Sequence, residues 1–123
     1  MAPDAPVSEL AALAQALAEF ARERDWDQFH SPKNLAMALA GEVGELLEHF
    51  QWLTEAQSAA LSDDARDAVA LEMADVLLYL VRLADKTHID LGAAARHKID
   101  LNAKKYPVEK FKGSHRKYDA PAD

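Results

Sequence analysis

The chain has 123 residues, of which 50% are hydrophobic; it has no cysteine, and its net charge is −7. This length and apolar content fit one globular domain with a modest core and exclude a disordered chain. The lack of cysteine excludes disulfides, thiolate metal sites and a cysteine nucleophile, and the negative charge argues against nucleic acid as a partner. No apolar run reaches the roughly 18 residues of a membrane span. No signal peptide is evident either, so we expect a cytoplasmic protein without a membrane partner.

The first predicted helix runs from Ser8, whose side chain can cap it, to about Arg24. Its apolar residues recur at helical spacing, and its many alanines favour a helix. Residues 1–7, which contain two prolines, are predicted to form a loose leader. Residues 25–30 are predicted to connect this helix to the next. This connection carries three ring side chains, which are Trp26, Phe29 and His30.

The second predicted helix begins with Ser31 as its N-cap and Pro32 as its first residue, and it runs to about Trp52. No proline occurs between Pro32 and Pro107, which leaves room for long helices. A short helical turn is predicted within residues 54–61, before the third helix begins.

The third predicted helix is capped by Ser62 and ends near Thr87, and two aspartates in its first turn favour the helix dipole. The fourth is capped by Asp90 and ends near Tyr106. Residues 108–123 are predicted to form a basic, extended tail. Because no segment alternates with the period of a strand, the sequence predicts a single all-α domain over residues 1–123, built as a four-helix bundle.

The charge is unevenly distributed along the chain. Residues 1–95 contain 6 Lys and Arg against 17 Asp and Glu, a net charge of −11, whereas residues 96–123 contain 8 against 4, a net charge of +4. An acidic body with a basic C-terminal segment suits a metal site beside an anion-binding arm. It also suits a solvated tail that only balances the charge of the body.

Each of the two central helices carries a glutamate on its apolar stripe. In the second helix, Glu42 lies at helical spacing between Leu39 and Leu46. In the third helix, Glu72 takes such a position three residues after Val69. A buried carboxylate is costly unless it is neutralised, paired or bound to a metal. Two helices with the same costly feature point to a shared cation.

A second carboxylate follows each of these glutamates one turn later, which gives the pairs Glu42-x-x-Glu45 and Glu72-x-x-Asp75. Four carboxylates form an all-oxygen site, which favours Mg²⁺ or Mn²⁺ over zinc. Mg²⁺ usually binds through a few carboxylates and substrate phosphates, so the pattern implies hydrolysis of a phosphate-bearing substrate. A di-iron site is disfavoured because the chain lacks Glu-x-x-His pairs. On spacing alone, the alternative is that the apolar stripes are assigned to the wrong helix face and that these carboxylates lie on the surface. The occurrence of the same paired pattern on two helices argues against this alternative.

Several other side chains suit a nucleotide. Trp26, Trp52 and Tyr79 can stack on a base, although each aromatic taken alone is more often a core residue. Lys98 and Asn102 share a face of the fourth helix, where a lysine can meet phosphates and an asparagine can meet a base edge or a sugar. The chain contains no P-loop, nucleophile elbow or GxGxxG motif, which disfavours those nucleotide-binding and hydrolase classes.

With these residues in place, the chain resembles the MazG-like, all-α NTP pyrophosphohydrolases and, within them, the dCTP pyrophosphatase branch. The resemblance spans about residues 8–118. It rests on five segments in a fixed order, which read RDWDQFH (24–30), GEVGEL (41–46), FQW (50–52), EMADVLLYL (72–80) and KKYPVEK (104–110).

The resemblance implies hydrolysis of a nucleoside triphosphate between its α and β phosphates, which gives the monophosphate and pyrophosphate. It implies Mg²⁺ ligands at Glu42, Glu45, Glu72 and Asp75. It implies base and sugar contacts at Trp26, His30, Trp52, Tyr79 and Asn102. It implies phosphate contacts at Lys98 and Tyr106. It also implies a homodimer or homotetramer in which a neighbouring chain completes each site.

The chain departs from the broader family at Gly41, where the family motif E-E-x-x-E has its first glutamate. This departure agrees with the dCTP branch and argues against transferring the broad substrate range of other MazG enzymes. The sequence therefore favours a Mg²⁺-dependent pyrophosphohydrolase that removes dCTP or its 5-modified forms from the nucleotide pool. The alternatives are an enzyme for other or damaged dNTPs and a helical nucleotide-binding module without turnover. Metal-dependent release of pyrophosphate would separate the module from the enzymes.

Overall fold

A computed structural model describes residues 8–121 of the chain, and these residues form helices with no strand among them. The all-α prediction is therefore confirmed, whereas the predicted leader, residues 1–7, lies outside the described residues. The α-helices are α1 (Glu9–Glu23), α2 (Pro32–Glu48), α3 (Glu55–Ser58), α4 (Asp63–Lys86), α5 (Leu91–Lys105) and α6 (Val108–Phe111), and a short 3-10 helix spans Asp27–Phe29. Within residues 8–121, no helix is long and apolar enough to cross a membrane.

The chain divides into two compact units between Ile89 and Asp90. The first unit contains α1 to α4 together with the 3-10 helix, and the second contains α5 and α6. Our interpretation of the sequence as one domain stays a prediction.

Side-chain caps begin the four longer helices at the predicted residues. Ser8, Ser31, Ser62 and Asp90 each accept a hydrogen bond from the backbone N–H three residues further on, at 3.0 to 3.2 Å. Each bond satisfies one of the N–H groups that a helix leaves without a partner at its start. These polar residues therefore fix where the helices begin, and with them the phase of each apolar stripe.

The predicted end of α2 is wrong. The helix ends at Glu48, four residues before Trp52, and the chain then tightens into turns in which the N–H of Phe50 bonds to the carbonyl of Leu47 at 2.9 Å. Thr54 is extended and caps α3, so the segment before it has to leave the helical conformation. Trp52 consequently stands on a connection and not on the helix.

The core of the first unit lies between α2 and α4, and α1 also packs on α4. Its most buried side chains come from all three helices and are Ala21, Leu35, Val69, Val81 and Ala84. Leu35 is only 1% exposed. Because α2 and α4 pack along the apolar stripes that the sequence shows, the two glutamates on these stripes face the helix pair and not the solvent.

The second unit is held together by aromatic contacts near its C-terminal end. The ring of Tyr106 meets those of Phe111 and Tyr118 edge to face, with centroids 4.9 and 6.1 Å apart. Residues 108–111 form the one-turn helix α6, in which the N–H groups of Lys110 and Phe111 both bond to the carbonyl of Pro107. The prediction of an extended tail is therefore wrong over these four residues, because Pro107 starts a helical turn that the ring contacts hold in place.

Candidate metal and nucleotide site

Helices α2 and α4 bring carboxylates from both predicted pairs together. One oxygen from each of Glu42, Glu45 and Glu72 lies within 4.8 Å of the other two. Glu42 and Glu72 are half-buried, as their positions on the stripes require, whereas Glu45 is exposed. Three carboxylates that are separated by up to thirty positions in the sequence therefore form one cluster.

Two oxygens of this cluster lack the hydrogen-bond donors that buried carboxylates need, although His49 Nε2 lies 3.8 Å from Oε1 of Glu72. The Oε2 atoms of Glu42 and Glu72 are buried and have no hydrogen-bond partner among the described residues. An unsatisfied buried acceptor costs roughly 1–3 kcal/mol, and more when it is charged. A hard divalent cation would satisfy both oxygens, and an all-carboxylate donor set is the kind that Mg²⁺ and Mn²⁺ prefer. The residues present therefore fit such an ion.

The crowding of negative charge is reflected in the pKa of Glu42. Burial raises this pKa above the ordinary value for a glutamate, and a hydrogen bond shared with Glu45 raises it further. The charges of Glu45, Asp75 and Glu72 act in the same direction. Asp75 is outside the group of three whose oxygens meet within 4.8 Å, but its charge reaches Glu42. The fourth predicted carboxylate is thus an electrostatic neighbour of the cluster.

A cavity of about 240 Å³ lies between α1, α2 and α4. The apolar part of its wall is formed by Leu17, Phe20, Leu35 and Leu78. The remaining lining residues carry rings or charges, and they are Trp26, His30, Asp75, Tyr79 and Arg82. A cavity with an apolar wall and a few converging polar groups is typical of a small-molecule site.

A turn at the end of α1 places Trp26 in this cavity. Asp25 has a φ of 56°, and the N–H of Trp26 returns to the carbonyl of Ala21 at 2.8 Å. A left-handed residue followed by such a returning bond is a common way to end a helix. The reversal brings the ring of Trp26 to an edge-to-face contact with Phe20, with centroids 5.7 Å apart. The indole is therefore held against α1 at the mouth of the cavity, where it is still 46% exposed.

The structure brings together only part of the predicted substrate contacts. Trp26, His30 and Tyr79 share the cavity with Asp75. Trp52 does not line it and is 86% exposed. The other predicted contacts, Lys98, Asn102 and Tyr106, belong to the second unit, on α5 and at its C-terminal cap. Their roles, like those of the other predicted site residues, stay predictions.

Arg82 is a cavity residue that our sequence analysis missed. It is buried, at 5% exposure, and each nitrogen of its guanidinium donates a hydrogen bond. Its Nε–H donates to Nδ1 of His30 at 3.2 Å, and its second terminal nitrogen donates to Oδ1 of Asp27 at 2.6 Å. Lys86 donates to the same Asp27 oxygen at 3.0 Å. The available signal was the spacing of Asp75, Tyr79 and Arg82, which puts a cation on the cavity face of α4.

These cations shift two pKa values on the short connection. The pKa of Asp27 is lowered, chiefly by its hydrogen bond and charge interaction with Lys86 and then by Arg82. The pKa of His30 is also lowered, first by burial and then by the charge of Arg82, while the carboxylate of Asp27 acts against this. The connection is therefore held with Asp27 charged and His30 neutral at pH 7.

The chain is similar in sequence to known proteins. The model of the MazG-like family matches residues 38–120. The proteins named dCTP pyrophosphatase 1 of Rattus norvegicus and of Homo sapiens are each 50% identical to this chain over 103 residues. That alignment covers 82% of this chain and 61% of each relative, so the chain spans about three fifths of their length.

The fold comparison agrees with the sequence comparison. The crystal structure of a pyrophosphatase from Archaeoglobus fulgidus matches with a TM-score of 0.78 at 36% identity. The match covers 86% of this chain and 99% of the archaeal one.

Proposed function

This chain belongs to the MazG-like family, as its resemblance predicted, and from that premise we propose that it is a Mg²⁺-dependent pyrophosphohydrolase of dCTP. Water adds to the triphosphate, the bond that joins the α and β phosphates breaks, and dCMP and pyrophosphate leave. The names of the relatives support this substrate. The proposal includes 5-modified dCTP, a role in cleaning the nucleotide pool, and a cytoplasmic location.

The proposal is carried by the position of Asp75. This residue lines the aromatic cavity, and its charge acts on Glu42 in the carboxylate cluster. A nucleoside in the cavity would therefore have its phosphates directed toward the cluster. Since a triphosphate and several carboxylates repel each other, such a complex needs a cation between them.

The carboxylates divide the work between holding the cation and handling a proton. We assign the ligands as Glu42, Glu45, Glu72 and Asp75. Bound Mg²⁺ or Mn²⁺ supplies charge neutralisation at the phosphoryl group and a more acidic water. Glu42 and Glu72 are half-buried on the helices α2 and α4, which pack on each other, so they suit holding the cation. Glu45 and Asp75 are exposed, and one of them accepts the proton of the attacking water.

The cavity residues hold the other end of the substrate. Trp26 and Tyr79 stack on the base, and His30 hydrogen-bonds to it. Trp52 is too exposed to serve this cavity, so it suits a contact made by a neighbouring subunit. The remaining sugar and phosphate contacts rest on the resemblance alone, and they are Lys98, Asn102 and Tyr106.

We propose a homodimer or homotetramer because α2 and α4 leave large apolar side chains uncovered. These are Met37, Val43, Leu47, Leu71, Met73 and Leu77. Leu71 is 72% exposed. Exposed apolar side chains that gather in larger patches mark interaction surfaces, and a second copy of the chain would cover these. Light scattering after gel filtration should give a mass of two or four chains, which Leu71→Glu should reduce.

The activity is tested by pyrophosphate release from eight NTPs and dNTPs, with Mg²⁺ and with EDTA. Release that needs Mg²⁺ and is led by dCTP is the expected result. Release led by another nucleotide would keep the chemistry and overturn the substrate. If folded, oligomeric protein releases no pyrophosphate from any of the eight, 5-modified dCTP is assayed next. No release from 5-modified dCTP either would overturn the enzyme proposal in favour of a nucleotide-binding module.

A further inference from the structure

The hydrogen bond between Arg82 and His30 determines which nitrogen of the imidazole carries a proton. The Nε–H of Arg82 lies 3.2 Å from Nδ1 of His30. A guanidinium can only donate, so Nδ1 has to accept with its lone pair. The single proton of a neutral imidazole must then sit on Nε2. The ring therefore presents a donor, and not an acceptor, on the side opposite Arg82.

Arg82 itself is prevented from turning away. Its terminal nitrogens donate to Asp27 at 2.6 Å and to Asp85 at 3.4 Å, and the side chain is buried. Nε has only one hydrogen, which is the one directed at His30. The backbone of His30 is also fixed, because its N–H bonds to the carbonyl of Asp27 at 3.1 Å. Both partners of the bond are thus held by bonds to the same short connection.

We propose that Arg82 is a positioning residue that fixes the Nε2–H form of His30, so that this side chain reads a hydrogen-bond acceptor on the base. The identity of the ligand rests on the proposed function. With the proton on Nδ1, the same ring would offer a lone pair and would read an amino group. Arg82 therefore determines which hydrogen-bonding edge of a base can pair with His30, although Arg82 itself does not have to contact the base.

The first test concerns the free protein and does not depend on turnover. Protein with ¹⁵N-labelled histidine is studied by long-range ¹H–¹⁵N correlation NMR at pH 7.5, and His30 is assigned by comparison with His30→Gln. We expect an unprotonated Nδ1 and a protonated Nε2. Addition of dCMP should shift the Nε2–H signal. A proton on Nδ1, or on both nitrogens, would overturn the proposal even if the enzyme hydrolyses dCTP, and so would an Nε2–H signal that dCMP leaves unmoved.

The second test uses variants of Arg82. Arg82→Met keeps the length and apolar stem of the side chain but has no donor, so Nδ1 of His30 is no longer held as an acceptor. The ring should turn more freely, the share protonated on Nδ1 should rise toward that of a free histidine, and dCMP should bind about 3- to 10-fold more weakly. For dCTP hydrolysis we expect KM to rise by a similar factor while kcat is essentially unchanged. Arg66→Met, on an exposed position of the same helix, is the matched control and should change none of these.

Arg82→Lys separates the tautomer from simple charge. Lysine keeps a cation near Asp27 and should protect the fold, but it cannot place the planar Nε–H at His30. We expect the tautomer preference and dCMP affinity to stay reduced in this variant. If Arg82→Lys restores affinity without restoring the wild-type proportion of the two tautomers, or if Arg82→Met leaves that proportion unchanged, Arg82 acts only through charge or packing and the proposal is overturned.

Discussion

Helix α4 carries two charged regions, and they differ in whether their buried polar atoms have hydrogen-bond partners. Near its middle, Glu72 joins the carboxylates of α2, and its Oε2 is buried without a hydrogen-bond partner among the described residues. Three turns later, Arg82 is buried more deeply, yet each guanidinium nitrogen donates to His30, Asp27 or Asp85. The same helix therefore holds one region that the chain leaves unsatisfied and one that it satisfies by itself.

We propose that this difference separates a cation-binding region from a supporting one. A buried acceptor that the protein leaves without a partner needs one from outside, and for clustered carboxylates that partner is a cation. A buried cation with a hydrogen-bond partner at each nitrogen and a carboxylate beside it is compensated by the chain itself, so it can hold other groups in place. The cavity lies between the two regions, with Asp75 from the first and Arg82 from the second in its wall.

The largest expected effect is the loss of hydrolysis when the unsatisfied region loses a charge. Glu45→Gln and Asp75→Asn should each lower the rate of pyrophosphate release by at least about 100-fold, because even outer contacts of a metal site are worth 10- to 100-fold. Circular dichroism should show that the helices remain. Asp67→Asn, an exposed position on α4, is the control and should keep the wild-type rate. Retained turnover in both cluster variants would contradict the metal assignment.

Mg²⁺ should stabilise the wild-type protein and not a protein whose cluster is incomplete. At an ion concentration of 100 times Kd, binding adds about 2.7 kcal/mol to the free energy of unfolding, which raises Tm by roughly 10 °C. Glu72→Gln removes the charge of a half-buried member of the cluster and should lose most of this increase. An equal increase in wild type and Glu72→Gln would mean that Mg²⁺ binds elsewhere.

Acid should reduce the repulsion among the clustered carboxylates in metal-free protein. The pKa of Glu42 in the fold is raised above its ordinary value of 4.5, so its favourable contribution is complete below pH 4.5 and is lost as pH rises through the folded value. In EDTA at pH 7.5, Glu42→Gln should therefore have a higher Tm than wild type, by a few degrees, and this gap should close toward pH 4.5. His30, whose lowered pKa costs stability in acid, is present in both proteins and cancels. A gap that widens on acidification would contradict this sign.

The clustering of Glu42 and Glu72 could be predicted from the sequence because it depends on helix phase. Glu42 and Glu72 stand at spacings where the stripe asks for an apolar residue, and α2 and α4 pack along those stripes. Once both helices are predicted, their packing along these stripes brings the two glutamates into one cluster. The stripes follow from period 3.6 alone, which needs no knowledge of loops.

The supporting region could not be predicted in the same way. Arg82 meets His30 across 52 positions of sequence, and the contact depends on a turn at Asp25 and on a one-turn 3-10 helix. Such turns set the direction of the chain without leaving a periodic pattern. The misplaced end of α2 has a similar origin, because the cap at Thr54 overrides the apolar spacing that continues to Trp52.

The smallest expected effect concerns the satisfied region, and its pH dependence has the opposite sign. The pKa of Asp27 is lowered from 3.8 by Lys86 and Arg82, so its contribution is present above pH 3.8 and is lost as pH falls through the folded value. Asp27→Asn should lower Tm by a few degrees at pH 7, less at high salt because the carboxylate is exposed, and by progressively less below pH 3.8. Asp85→Asn, whose contact with Arg82 is longer at 3.4 Å, should cost less still. A loss of Tm in Asp27→Asn that is the same on both sides of pH 3.8 would show that its charge is not what holds Arg82. If the two pH dependences of Tm have opposite signs, acid weakens the contacts of Asp27 with Arg82 and Lys86 while it reduces the repulsion among the clustered carboxylates.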